Sequence, residues 1–131
     1  MIQPDAADIA ELLGLPESAA GPPSCCPVSS LKALMITVDD CDLLTQALSP
    51  TTLRRRKGHL DEEESQRLYR VARAWLMARR VFGNESRACQ FLSGPHTMLA
   101  GETPIVRAAA GAAGIENVEQ LLGRLYYGSA A

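Results

Sequence analysis

The chain has 131 residues, 47% hydrophobic and 5% aromatic, so it holds one compact domain or two very small ones, not a multidomain enzyme, with a core built largely from Ala, Leu and Val. With 13 Lys and Arg against 15 Asp and Glu the formal net charge is −2, which excludes a generic polycation for nucleic acid and makes any basic surface local. No apolar run approaches the roughly 20 residues that cross a bilayer, and Asp5, Asp8 and Glu11 stand where a signal peptide carries positive charge, so a cytoplasmic protein with no membrane partner is expected.

The charge is unevenly placed. Residues 1–53 carry seven acids and one base, Lys32, whereas residues 54–87 carry ten bases and five acids. The middle of the chain is therefore its electropositive part.

Taken in order, almost every segment has a helical signature. Asp5 to Leu13 places Ile9, Leu12 and Leu13 on one face and stops at Gly14, which predicts a short helix. Pro16 to Ser30, with four prolines and the Cys25-Cys26 pair, reads as a linker or irregular loop. Ser30 is placed to cap a helix through Leu31, Leu34 and Met35, and Asp39 or Asp40 to start another through Leu43, Leu44, Ala47 and Leu48. The β-branched string Ile36-Thr37-Val38 between them reads as either extended or helical.

Ser49 and Pro50 form an N-cap and first-position pair, and the helix they start presents Thr51, Thr52 and then Arg54, Arg55, Arg56 and Lys57. That arrangement resembles the second helix of a helix-turn-helix, where small polar residues meet base edges and arginines hold phosphate or guanine. The alternative is a solvated basic turn paired with the acidic run Asp61 to Glu64.

Asp61 and Glu64 make a capping-box variant that opens the best determined helix. Leu68, Val71, Trp75, Ala78 and Phe82 give it a continuous apolar stripe, and Gly83 ends it. Arg67, Arg70, Arg73 and Arg80 fall mostly on another side and read as a solvated face. Asn84 caps a short helix, Glu85 to Leu92, broken by Gly94-Pro95; Thr103 and Pro104 start another through Ile105, Val106 and Ala109. A last helix is marked by Ile115, Val118, Leu121, Leu122 and Leu125, followed by Tyr126-Tyr127-Gly128 and a small-residue tail. Ala108 to Gly114 are almost all Ala and Gly, which predicts a corner where two backbones approach closely.

Chemistry of a reactive kind is sparse. Cys25, Cys26, Cys41 and Cys89 form no CxxC pair and read as reduced thiols, the alternative being a structural zinc on Cys25, Cys26, Cys41 and His59. No spacing links His59, His96 and Cys89 into a catalytic set, so no catalytic residue, metal or cofactor is expected.

From Leu60 to Gly128 the chain resembles the Xre/MbcA/ParS antitoxin family, whose carboxy-terminal part is the toxin-binding domain paired with RES-domain toxins. The matching elements are Leu60 to Ser65 with the arginine-rich helix behind it, then Val81-Phe82-Gly83-Asn84-Glu85 and Phe91-Leu92. They continue with the spaced set Pro95, Leu99, Gly101 and Pro104, and end with Gly114, Val118, Glu119, Leu122, Gly123, Arg124, Leu125, Tyr127 and Gly128. Upstream, Thr52 to Lys57 resembles the end of the family's DNA-binding recognition helix. The family usually has Trp where Phe91 stands, a Gly-Gly pair where this chain has Ala100-Gly101, and Thr near Gly111.

The resemblance implies an all-α, small multi-helix bundle: residues 1–28 an amino-terminal helix and Pro-rich linker, 29–72 a shortened helix-turn-helix-like region for DNA binding and dimerisation, 73–131 the toxin-binding domain. It implies a type II antitoxin, not an enzyme, that restrains a RES toxin similar to ADP-ribosyltransferases, which degrades NAD or transfers its ADP-ribose. Leu122, Arg124, Leu125, Tyr126, Tyr127, Gly128 and Ala131 are the expected toxin-facing residues, the tail from Tyr126 to Ala131 reaching into or across the NAD pocket. Operator DNA and a second copy, as a homodimer within a hetero-oligomeric complex, are the other expected partners. A stand-alone helix-turn-helix transcriptional regulator is the alternative; it would use the basic turn and have no need of the tail.

Overall fold

The computed structural model describes residues 6–14, 27–37, 43–54 and 58–128. They form eight α-helices: α1 Ala6–Leu12, α2 Val28–Thr37, α3 Leu43–Ala47, α4 Pro50–Leu53, α5 Glu62–Phe82, α6 Glu85–Ser93, α7 Pro104–Ala110 and α8 Ala112–Gly128, with one 3₁₀ turn at Thr97–Leu99. Among the described residues there is no strand, only an isolated bridge between Pro27 and His59, where the Val28 N–H donates to the Gly58 carbonyl at 3.0 Å. The fold is all-α, as the periodicity implied.

Helix α5 is the spine, packed against α1, α6, α7 and α8. The Asp61 carboxylate accepts from the Glu64 N–H at 2.7 Å while the Glu64 carboxylate accepts from the Asp61 N–H at 3.0 Å, so both arms of the capping box are made. At the other end Gly83 adopts φ 66°, the left-handed conformation that only glycine reaches cheaply, and its N–H closes on the Arg79 carbonyl. Between these caps Leu68, Val71, Trp75 and Ala78 are buried and Phe82 half-buried. One apolar cluster runs from Ile9 and Leu13 through Leu31, Leu34 and Leu43 to Ile105, Val118 and Leu122. At about 1.5–3 kcal/mol for each fully buried large side chain, this shared core is the main force assembling the helices. The boundary at 72/73 falls inside α5.

The arginines of α5 do more than face solvent. Arg73 bonds Glu119 of α8 at 2.8 Å, and the Glu119 side chain is 6% exposed. Arg70 donates at 2.7 Å to the Ala109 carbonyl, one of the acceptors that the end of α7 leaves without a helical partner. Burial, helped by the charge of Arg67, lowers the Arg70 pKa from its ordinary value. Arg80 meets Asp8 of α1 at 2.6 Å. Three arginines of one helix thus hold α7, α8 and α1 to it.

Several local expectations are corrected. Helix α2 begins at Val28, so Ser30 lies in its first turn, buried and with no partner for its hydroxyl, instead of capping it. Ile36 and Thr37 are helical, and the Thr37 hydroxyl donates back to the Ala33 carbonyl. Thr103 has the extended backbone of an N-cap, yet its hydroxyl makes no cap bond. Cys89 is disulfide-bonded, where a reduced thiol was expected. Cys25, Cys26 and Cys41 lie outside the described residues, as do Val38, Asp39 and Asp40.

Candidate functional site

The α7–α8 corner sets the direction of the last helix. A Cβ on Gly114 would stand 1.9 Å from the Arg107 carbonyl oxygen, so the two backbones touch there and only glycine fits. From that corner the stripe of α8 starts buried at Ile115, Val118, Leu121 and Leu122 and emerges at Leu125, which is 36% exposed. Tyr126 and Tyr127 follow at 44% and 59%, their rings edge-to-face with centroids 4.9 Å apart. The helix continues to Gly128, so the tyrosines belong to a rigid helix end; Ala131 lies outside the described residues.

Of the residues expected to face a toxin, Arg124, Leu125, Tyr126, Tyr127 and Gly128 are exposed together on this end, whereas Leu122 is fully buried and serves to seat α8 on the core. Gln120, Gly123, Arg124, Tyr127 and Gly128 line a shallow trough of about 580 Å³. It shares Gln120 and Arg124 with a smaller concavity of about 160 Å³ that also takes in Met98, Arg107 and Asn117. Sequence reasoning singled out none of Met98, Arg107, Asn117 and Gln120. The signal was present for the α8 members, since Asn117, Gln120, Arg124 and Tyr127 recur at three- and four-residue spacings on one face.

A compact turn supports this concavity from the side. His96 Nδ1 accepts from the Met98 N–H at 3.1 Å, and the His96 ring sits edge-on to Phe91, which in turn packs on Phe82. Ala100 is held at φ 58° and Gly101 at φ 83°. Ala100 is thus an alanine in the left-handed conformation that glycine adopts more cheaply, and Met98 is left 58% exposed.

The basic turn is built differently. Ser49 caps α4 by accepting from the Thr52 N–H at 3.2 Å, with Pro50 in the first position. The helix is a single turn, ended at Arg54, whose N–H reaches the Pro50 carbonyl. Thr52 is buried and its hydroxyl donates to the Glu64 carboxylate at 2.5 Å, so it locks α4 to the start of α5. Thr51 and Arg54 are exposed; Arg55, Arg56 and Lys57 lie outside the described residues. The adjoining concavity is lined by Asp61, Glu63 and Glu64 beside Ser49, Thr51, Thr52 and Arg67, which gives one flank of α4 an acidic wall. Arg67 is itself paired with Glu63 at 3.6 Å.

Among the described residues, no three His, Cys, Asp or Glu side chains gather as a metal site, and no helix is long and apolar enough to cross a membrane. Among the described residues, the large apolar side chains that are more than a third exposed are Met35, Ile36, Met98, Val106, Leu125, Tyr126 and Tyr127. Leu125, Tyr126 and Tyr127, consecutive at the end of α8, make an exposed apolar surface of the kind that protein partners cover.

The particular family follows from comparison with known proteins. Residues 77–128, about two fifths of the chain, match the model of the antitoxin Xre/MbcA/ParS C-terminal toxin-binding domain family. The match overlaps the resemblance read from Leu60 onward, beginning at Met77. No curated protein matches the chain.

Proposed function

We propose that this protein is the antitoxin of a type II toxin–antitoxin pair and neutralises a RES-domain toxin that uses NAD, by laying the end of α8 across the toxin's active site. The observation that carries the reading is the exposed Leu125–Tyr126–Tyr127 end of a helix inside the matched toxin-binding segment. Two tyrosines on a helix end supply large contact area at little conformational cost, because each loses few rotamers and the backbone is already fixed. Ser129 to Ala131 prolong the chain with small side chains that suit a narrow cleft. The mechanism is steric: the toxin keeps its catalytic groups and loses access to its substrate, and the antitoxin itself performs no reaction.

Autoregulation is the second part of the proposal. Thr51, Arg54, Arg55, Arg56 and Lys57 would face operator DNA, with Thr52 fixing the turn that presents them, and a homodimer would address paired half-sites. Thr51 itself lines the acidic concavity beside α4, so Arg54 and the basic residues after it would carry the phosphate contacts. Thr51 and Arg54 exposed beside one another support this reading.

Co-expression with the protein encoded beside this chain tests the first part. Full-length chain is expected to restore growth and cellular NAD and to co-purify with the toxin, and a chain cut after Leu125 to do neither. Full rescue by the shortened chain sinks the occlusion mechanism. For the second part, Arg54→Ala with Arg55→Ala should weaken operator binding and lower its salt slope by roughly one log-log unit for each phosphate no longer neutralised. Unchanged repression by that variant would leave the turn without a role in DNA binding.

A further inference from the structure

The small concavity beside the trough brings together two cations from different helices. Arg107 comes from α7 and Arg124 from α8, and both line it with Met98, Asn117 and Gln120. Among the described residues, no carboxylate lines either this concavity or the adjoining trough. Glu102, outside the lining, pairs with Arg107 at 3.3 Å with both side chains partly exposed, so the net positive charge of the concavity comes from Arg124 while Arg107 keeps N–H donors to offer. Arg124 forms no ion pair among the described residues and is exposed. Two guanidinium groups around one concavity, flanked by side-chain amides, make a positive, donor-rich pocket in a molecule whose net charge is −2.

Resting on the antitoxin reading above, we propose that this pocket receives an acidic segment of the bound toxin, whose carboxylates are held by Arg124 and Arg107 while its apolar neighbours pack on Met98 and Tyr127. Guanidinium groups suit the task because each offers paired N–H donors matched to a carboxylate, and the interaction strengthens as docking excludes water. The occupant is a protein acid and not nucleic-acid phosphate because the pocket lies wholly within the toxin-binding segment and is continuous, through Gln120 and Arg124, with the trough that ends at Tyr127. Met98, 58% exposed at the rim, supplies the apolar surface that a phosphate backbone does not use. The toxin thus meets two surfaces: the tyrosine end, which blocks, and the arginine pocket, which orients.

The test is the affinity of the full chain for the purified RES-domain protein encoded beside it, measured at about 50 and about 300 mM salt for the parent and for Arg124→Gln, Arg107→Gln, the double variant and Tyr127→Asp. The double variant is expected to bind about tenfold more weakly at low salt and to lose most of the salt dependence, and Tyr127→Asp to bind more weakly at both salt concentrations. Arg124→Gln alone should give part of the loss with unchanged helicity, which separates a docking role from damage to the Arg107–Glu102 pair. If the arginine variants bind as the parent does while Tyr127→Asp fails, the pocket has no such occupant and the docking reading stands. If every variant binds as the parent does, the docking reading falls and the inference with it. Loss of operator binding in the double variant at unchanged toxin affinity would assign the pocket to nucleic acid and overturn the proposal.

Discussion

The α7–α8 corner and the end of α8 hold two glycines on one helix whose replacement should have opposite effects. At Gly114 a Cβ would stand 1.9 Å from the Arg107 carbonyl oxygen and 2.9 Å from its carbon, against an ordinary contact of 3.4 Å or more, so Gly114→Ala must open the corner by about 1.5 Å. The obstructing atoms are backbone and cannot rotate away, which puts the overpacking penalty at the upper end of its usual range, about 3 kcal/mol. Alanine's better helix propensity returns about 1 kcal/mol, leaving a net loss of about 2 kcal/mol. For a chain of this size that lowers the thermal midpoint by roughly 6 °C. At Gly123 a Cβ would meet nothing within 4 Å, so Gly123→Ala keeps only the propensity gain and should stabilise by about 0.5–1 kcal/mol. Urea and thermal unfolding followed by far-ultraviolet circular dichroism read both. A Gly114→Ala protein as stable as the parent, or two variants that shift stability the same way, would refute the close approach of α7 and α8.

Five further substitutions at four positions probe the fold elsewhere. Ala100→Gly should stabilise by about 0.5 kcal/mol, since a left-handed alanine costs about 1 kcal/mol and added freedom of the unfolded chain offsets part of the relief, whereas Ala100→Val should lower the thermal midpoint. Glu119→Ala should cost about 2 kcal/mol by leaving the half-buried Arg73 without its partner, while Glu85→Ala, at the exposed pairing with Arg79, should change stability by no more than about 0.5 kcal/mol in denaturant titration. Burial raises the Tyr69 pKa above 10.0 and the nearby Arg73 charge opposes it, so the neutral phenol is favoured in the fold. That contribution is complete below pH 10 and is lost as pH rises through the raised value; thermal midpoints of Tyr69→Phe should therefore fall less steeply on the alkaline side.

Much of this architecture is legible in the sequence where local chemistry and tertiary contacts agree. The Asp61–Glu64 box, the stripe from Leu68 to Trp75 and Gly83 delimit α5 on both scales, and the Ala-Gly run at 108–114 marks the close corner. Elements decided by distant partners are not legible in this way. Arg70, Arg73 and Arg80 carry the pattern of a solvated face, and only folding brings Ala109, Glu119 and Asp8 to meet them. Thr52 has the chemistry of a base-reading residue, yet its hydroxyl is taken by Glu64, twelve positions on. Likewise the exposed end of α8 is visible as two tyrosines, whereas the pocket beside it joins Met98, Arg107 and Arg124, which no local pattern connects.

The central claim is that the end of α8 closes the toxin's active site. It is tested most directly by titrating purified toxin with this protein, full length or ending at Leu125, while following NAD consumption. The account predicts that full-length chain suppresses turnover as it approaches saturation and that the shortened chain leaves turnover largely intact. Equal suppression by both would contradict it.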